Sequence, residues 1–139
     1  MNHDMEQALQ TFLATWVEGP DGNKSGFLRL QRLLASLAGA ECEFIARPGI
    51  TYSLRGALPA GHRPLFVMID VIEDQPRWLS VCFYADQVTD PQELGAFVPG
   101  GLLGEDACCF DLESCAEAML AYVEARVKEA YGGAASDCV

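Results

Sequence analysis

The sequence predicts an α+β domain with two N-terminal helices, a mostly antiparallel sheet of about five strands, a short capped helix and a C-terminal helix. Near both ends of the chain, apolar residues recur at helical spacing. Between the ends, they alternate with polar residues as in half-buried strands separated by turns. Helices gathered before and after a set of hairpins are typical of the α+β class.

The first predicted helix has Asp4 as its cap and an apolar stripe, and a second is expected over 25–38, before Gly39. Two short strands around Pro48-Gly49 predict a first hairpin. A last helix is predicted from the Ser114 and Glu117 capping pair, carrying Met119, Tyr122, Val123, Val127 and Ala130 inward. The 139 residues then form one domain over 1–139, with 132–139 expected to fray.

A central hairpin over 65–85 has the strongest strand pattern. If Val71 pairs with Leu79, one face of this hairpin is apolar throughout and must meet helices. The same register predicts a second, mixed face, on which Asp70 and Ser80 form a polar pair. Its other members are Phe66, Met68, Ile72, Trp78, Cys82 and Tyr84.

This mixed face is the main candidate site, and three explanations compete for it. Cover by a helix is favoured, because the predicted helices are numerous enough for both sides of the sheet. Dimerisation comes second, since Trp, Tyr and Met are enriched in interface cores. A small ligand comes third, because a few polar groups in an apolar concavity are typical of ligand sites.

After the hairpin, Asp90-Pro91-Gln92-Glu93 reads as a capping box, which predicts a short helix over 90–97. Pro99-Gly100-Gly101 is expected to end it. The loop that follows, over 102–106, is expected to connect to a strand over 107–112, with a lid over the mixed face as an alternative role.

The charge is strongly acidic, with a formal net charge of −11 from 20 acids and 9 Lys and Arg. Residues 85–139 carry eleven acids and two bases. Such a surface disfavours nucleic acid and anionic membranes and is compatible with a basic protein or a cation. Without a signal-like N-terminus, the expected location is cytoplasmic, and the six cysteines are expected to be reduced.

Arg47, Arg55 and Arg77 lie on or beside predicted strands and could together hold an anion. Pairing with nearby acids is favoured over an anion pocket. No catalytic group can be argued, because neither histidine has a predicted partner. No spacing predicts a metal site, and a reactive Cys82 or Cys109 would need the positive field of Arg77 or Arg55.

The order of elements, with Pro48-Gly49-Ile50-Thr51-Tyr52-Ser53 as turn and strand, resembles the small bacterial YdhG-like domains of unknown function. The resemblance implies at most a frataxin-like iron-chaperone role and transfers no ligand residues. The sequence favours a non-enzymatic binding or interaction module, dimeric through the mixed face. The alternatives are an acidic metal-handling protein and a small enzyme with a reactive thiol, and no cofactor is indicated.

Overall fold

A computed structural model describes residues 1–137, which form an α+β fold as the sequence predicted. Its helices are α1 (His3–Ala14), α2 (Asn23–Ser36) and α3 (Glu117–Ser136). Its strands are β1 (Glu41–Arg47), β2 (Thr51–Ala57), β3 (Val67–Ile72), β4 (Trp78–Tyr84), β5 (Ala96–Leu102) and β6 (Glu105–Leu112), and a 3-10 turn, Ala85–Gln87, follows β4.

The strands form one antiparallel sheet in the order β1-β2-β3-β4-β6-β5. The sheet therefore has six strands, where about five were expected. The predicted register of the central hairpin is confirmed, because Val71 lies opposite Leu79 and Asp70 opposite Ser80.

All three helices pack on one face of this sheet, which we call the helix face. Alternate strand residues, such as Leu54, Ile69 and Val81, point to it and are fully buried. The helices contribute the facing side chains; these are Leu9, Phe12, Phe27, Leu30, Leu34, Leu120, Val123, Val127 and Ala130. Within residues 1–137, the apolar cluster on the opposite side of the sheet contains no helical side chain.

The helix boundaries differ from the prediction in their caps. Asn2, not Asp4, caps α1, because its Oδ1 accepts a hydrogen bond from the Met5 amide at 2.8 Å. The Ser114 and Glu117 pair does not cap α3, whose cap position is occupied by Ala116. The last helix also continues through residues 132–136, where fraying was expected, and Ala134 is buried there. Residues 138 and 139 of that expected tail lie outside the described residues.

The prediction of a short helix over 90–97 is wrong. The Asp90 carboxylate does accept backbone hydrogen bonds, from the Leu94 and Gly95 amides at 3.0 and 2.8 Å, but it closes a turn. From Ala96 the chain pairs with β6, and this ladder overrides the local helix signal. Pro99-Gly100-Gly101 then forms an irregularity within β5, where Gly100 has a φ of 65°.

No helix within residues 1–137 combines the length and apolar content that crossing a membrane requires.

Candidate functional site

The mixed face predicted for the hairpin lies on the side of the sheet opposite the helices, which we call the open face. Met68, Asp70, Trp78, Ser80, Cys82 and Tyr84 all belong to it by register. Among residues 1–137, its apolar cluster contains no helical side chain. The prediction that a helix covers this face is therefore wrong, because all three helices are needed for the opposite, fully apolar face.

Phe66 is the exception among the predicted members. Its amide donates to the Gly56 carbonyl at 2.8 Å, and its ring packs 5.7 Å from that of Tyr131 in α3. The regular alternation of β3 begins only at Val67, so Phe66 is free to turn toward the helix face. Gly56 leaves the space for it, since a Cβ there would lie 3.1 Å from the Phe66 ring.

The β5–β6 hairpin covers part of the open face instead. Leu102 is fully buried against Leu65, Cys82 and Tyr84. Next to it, Gly101 and Leu103 form one wall of a cavity of about 280 Å³ on this face. The segment expected to be a loop or lid is thus the end of a strand pair that reaches over the sheet. The remaining lining of the cavity is Ile45, Arg47, Thr51, Ser53, Arg55, Met68 and Asp70.

Asp70 is the buried charge in this cavity. Its Oδ1 is inaccessible and has no hydrogen-bond partner among the described residues. Burial raises the pKa of Asp70, although the Ser53 hydroxyl and the charges of Arg55 and Arg47 act in the opposite direction. The structure therefore holds a carboxyl group with an unused acceptor oxygen, facing two cations.

Arg47 and Arg55 lie together at this cavity, but Arg77 does not. Arg77 lines a separate cavity of about 450 Å³, pairs with Glu73 at 3.0 Å, and stacks over Phe12. Pairing was the favoured explanation for all three arginines. It holds for Arg77, whereas within residues 1–137 neither Arg47 nor Arg55 forms an ion pair, and Arg55 Nε donates only to Ser53 Oγ at 3.3 Å.

The other predicted members of the site have local partners. Trp78 Nε1 donates to Asp74 Oδ2 at 3.3 Å, and Ser80 Oγ lies 3.7 Å from Cys82 Sγ. Tyr84 lies under the Arg63 guanidinium, 4.2 Å from the ring centroid, and burial raises the pKa of its hydroxyl. None of these side chains lines the cavity, although they belong to the same face of the sheet.

Two thiols meet on the same face, because Cys82 lies opposite Cys109 on neighbouring strands. The pKa of Cys82 is lowered chiefly by a hydrogen bond with Cys109. The sequence analysis expected an arginine to supply such a shift, and that expectation missed the pairing of β4 with β6. The five described cysteines are free thiols, and no three His, Cys, Asp or Glu side chains converge on a metal position within residues 1–137.

Five residues that line the cavity were not among the predicted site residues: Ile45, Thr51, Ser53, Gly101 and Leu103. Ser53 is buried and lies opposite Asp70 across β2 and β3, so it could have been found by extending the hairpin register to the preceding strand. Leu103 belongs to the segment for which a lid over the mixed face was an alternative, although the β5–β6 hairpin that places it there was not expected.

No family model, curated protein or solved structure matches this chain. The resemblance to the YdhG-like domains stays a prediction.

Proposed function

We propose that the protein is a non-enzymatic binding module whose open face takes up a small ligand with a carboxylate and a neighbouring N–H donor, as amino acids and short peptides have. One observation supports this above all. Two arginines without ion pairs flank a half-buried carboxyl group whose Oδ1 has no hydrogen-bond partner among the described residues.

The arginines favour a carboxylate. In a chain with 20 acids, Arg29, Arg63, Arg77 and Arg126 each contact a carboxylate. In the part of the chain that is described, Arg32, Arg47 and Arg55 are left without such a contact, and of these three only Arg47 and Arg55 line a cavity. A guanidinium binds a carboxylate through two parallel N–H···O bonds, so this pair is suited to one incoming carboxylate.

Asp70 favours an N–H donor beside that carboxylate. Asp70 lines the cavity, so a ligand ammonium or amide there would meet the negative charge of its carboxylate, and a hydrogen bond to a charged group contributes about 1.5–3 kcal/mol. A simple anion would instead be repelled by the ionised side chain. The cavity of about 280 Å³ is at the small end of ligand pockets, which matches an amino acid or one or two peptide residues.

The lining also supports binding without catalysis. It includes no histidine, cysteine or lysine, the side chains that most often act as general base or activated nucleophile. The acidic metal-handling alternative gains no support from the residues that converge in the described part of the chain.

Calorimetric titration with free amino acids and dipeptides, using acetate and methylammonium as single-charge controls, tests the proposal. We expect at least one zwitterionic ligand to bind and both controls to fail. Arg47→Ala and Arg55→Ala should each weaken binding by roughly 10–100-fold, since a hydrogen bond to a charged group contributes about 1.5–3 kcal/mol.

Arg32→Ala is the matched control, because Arg32 is an exposed arginine on α2 outside the cavity. It should leave the affinity unchanged. Absence of binding across the panel at millimolar concentration would contradict the proposal, as would equal weakening by Arg32→Ala.

A second candidate function is homodimerisation, and the edge strand β5 favours it. Its seven residues carry no charge, whereas the opposite edge strand β1 carries Glu41, Glu43 and Arg47. Around β5, Phe97, Leu103 and Leu94 are 64%, 53% and 46% exposed. An uncharged, apolar strand edge is a template for pairing with another chain, and charged side chains normally prevent this.

Sedimentation analysis over a range of concentrations tests this second candidate. We expect a dimer that Phe97→Lys converts to a monomer, because a lysine at the edge opposes strand pairing. Val17→Lys introduces the same charge at another exposed apolar position, 87% exposed, and should leave the dimer intact. A wild-type protein that is monomeric at every concentration would exclude homodimerisation.

A further inference from the structure

Three sulfur-containing side chains lie side by side on the open face. The register pairs Met68 with Cys82, and Cys82 with Cys109. Directly opposite residues of an antiparallel sheet have Cβ atoms about 4.5–5.5 Å apart. We call these three residues the sulfur row, and the fold brings them together although they are far apart in the sequence.

Apolar side chains shelter the sulfur row on one side, whereas Arg55 lies opposite Met68 and Ser80 Oγ lies 3.7 Å from Cys82 Sγ. Cys82 is 8% exposed, and Leu65 and the fully buried Leu102 pack in the same cluster. Met68 and Cys109 are partly buried against that cluster. The end of the β5–β6 hairpin therefore limits the access of water to the sulfur atoms.

Two thiolates and a thioether form a ligand set for a soft ion. Cys and Met sulfur select Cu(I), whereas Zn²⁺ in structural sites takes four N or S ligands and harder cations prefer oxygen. We propose that Met68, Cys82 and Cys109 form a binding site for one Cu(I) ion. On binding, two Cu–thiolate bonds form, both S–H bonds break, two protons go to solvent and no electron is transferred.

An anaerobic titration of the reduced protein with Cu(I), in competition with a chromophoric Cu(I) chelator, tests this site. A background variant with Cys42, Cys108, Cys115 and Cys138 replaced by serine removes the other thiols. We expect this variant to retain one Cu(I) per chain and to release protons in weakly buffered solution. Uptake should fall as the pH is lowered, because protons compete for both sulfur atoms.

In that background, Cys82→Ser and Cys109→Ser should each abolish stoichiometric uptake, and Met68→Leu should weaken it. Cys109→Ser and Cys108→Ser, both made in the wild-type chain, form a matched pair, because Cys108 neighbours Cys109 but pairs with Phe83, a residue of the helix face. Circular dichroism of the apo variants reports folding. If the Cys82→Ser variant does not fold, Cu(I) uptake is compared for the Cys109→Ser and Met68→Leu variants, whose substituted residues are only partly buried.

The site is overturned if uptake survives the joint loss of Cys82 and Cys109, or if Met68→Leu leaves the affinity unchanged. It is also overturned if the reduced protein takes up no Cu(I). In that case, formation of a Cys82–Cys109 disulfide with oxidised glutathione would show that the two thiols meet without binding the ion. Arg47→Ala should leave Cu(I) uptake unchanged, which separates this site from the proposed carboxylate site.

Discussion

Replacing Phe110 with alanine is expected to lower the free energy of unfolding by about 3–5 kcal/mol, the usual cost of truncating a buried phenylalanine. Phe110 lies on β6 and is fully buried on the helix face. Its ring packs edge-on against Phe83 and Tyr122, at 5.9 Å from each. Truncation would leave a cavity where β4, β6 and α3 meet, and rigid strands on two sides would prevent the cavity from closing.

Urea unfolding followed by circular dichroism measures this loss. Phe97→Ala is the matched control, because Phe97 lies on the adjacent strand β5 and is 64% exposed. It should change the stability by less than about 0.5 kcal/mol, as surface substitutions usually do. Comparable losses for both variants would show that Phe110 does not lie in the core described above.

The central hairpin was predictable because two independent patterns agree on one register. Apolar residues alternate along both strands, and a one-residue slip would move every one of them to the wrong side of the sheet. Asp70 opposite Ser80 and Met68 opposite Cys82 follow from that register without any tertiary information. The prediction failed at Phe66, where the regular ladder has not yet begun.

The β5–β6 hairpin was not predictable, because its local signals describe something else. Asp90 and the residues after it have the composition of a capped helix, and only pairing with β6 makes 96–102 a strand. The contact of Cys82 with Cys109 was missed for a related reason, because it depends on the long-range pairing of β4 with β6.

Whether helices would also cover the second face of the sheet was undetermined by the sequence. Three amphipathic helices could in principle cover both sides of a sheet, yet the apolar row from Leu54 to Phe110 requires all of them. The same choice leaves Arg47 and Arg55 on the open face, away from the helical acids that pair with Arg29. The candidate site is thus a consequence of helix placement, which depends on long-range packing.

Replacing Asp70 with asparagine is expected to raise the stability at neutral pH, because asparagine keeps the shape of the side chain and carries no charge that burial would disfavour. Burial raises the pKa of Asp70 in the folded state above its value in the unfolded chain. The folded state then binds the proton more tightly, so stability falls as the pH rises through the folded pKa. Below the ordinary aspartate pKa of about 3.9, wild type and variant should be equally stable.

Thermal unfolding of both proteins from acidic to neutral pH checks this dependence. Asp111→Asn is the matched control, since Asp111 lies in the same cross-strand row but is exposed, and its stability should follow that of the wild type. A destabilised Asp70→Asn protein at neutral pH would contradict the prediction.

The Asp70→Asn variant also tests what the Asp70 charge contributes to ligand binding. Loss of the Asp70 charge should weaken the zwitterionic ligand, which loses the acceptor for its N–H group, and should allow acetate to bind between Arg47 and Arg55. If Asp70 is kept for binding, its replacement should stabilise the protein and exchange the zwitterionic ligand for acetate. A group retained for stability would not destabilise the folded state.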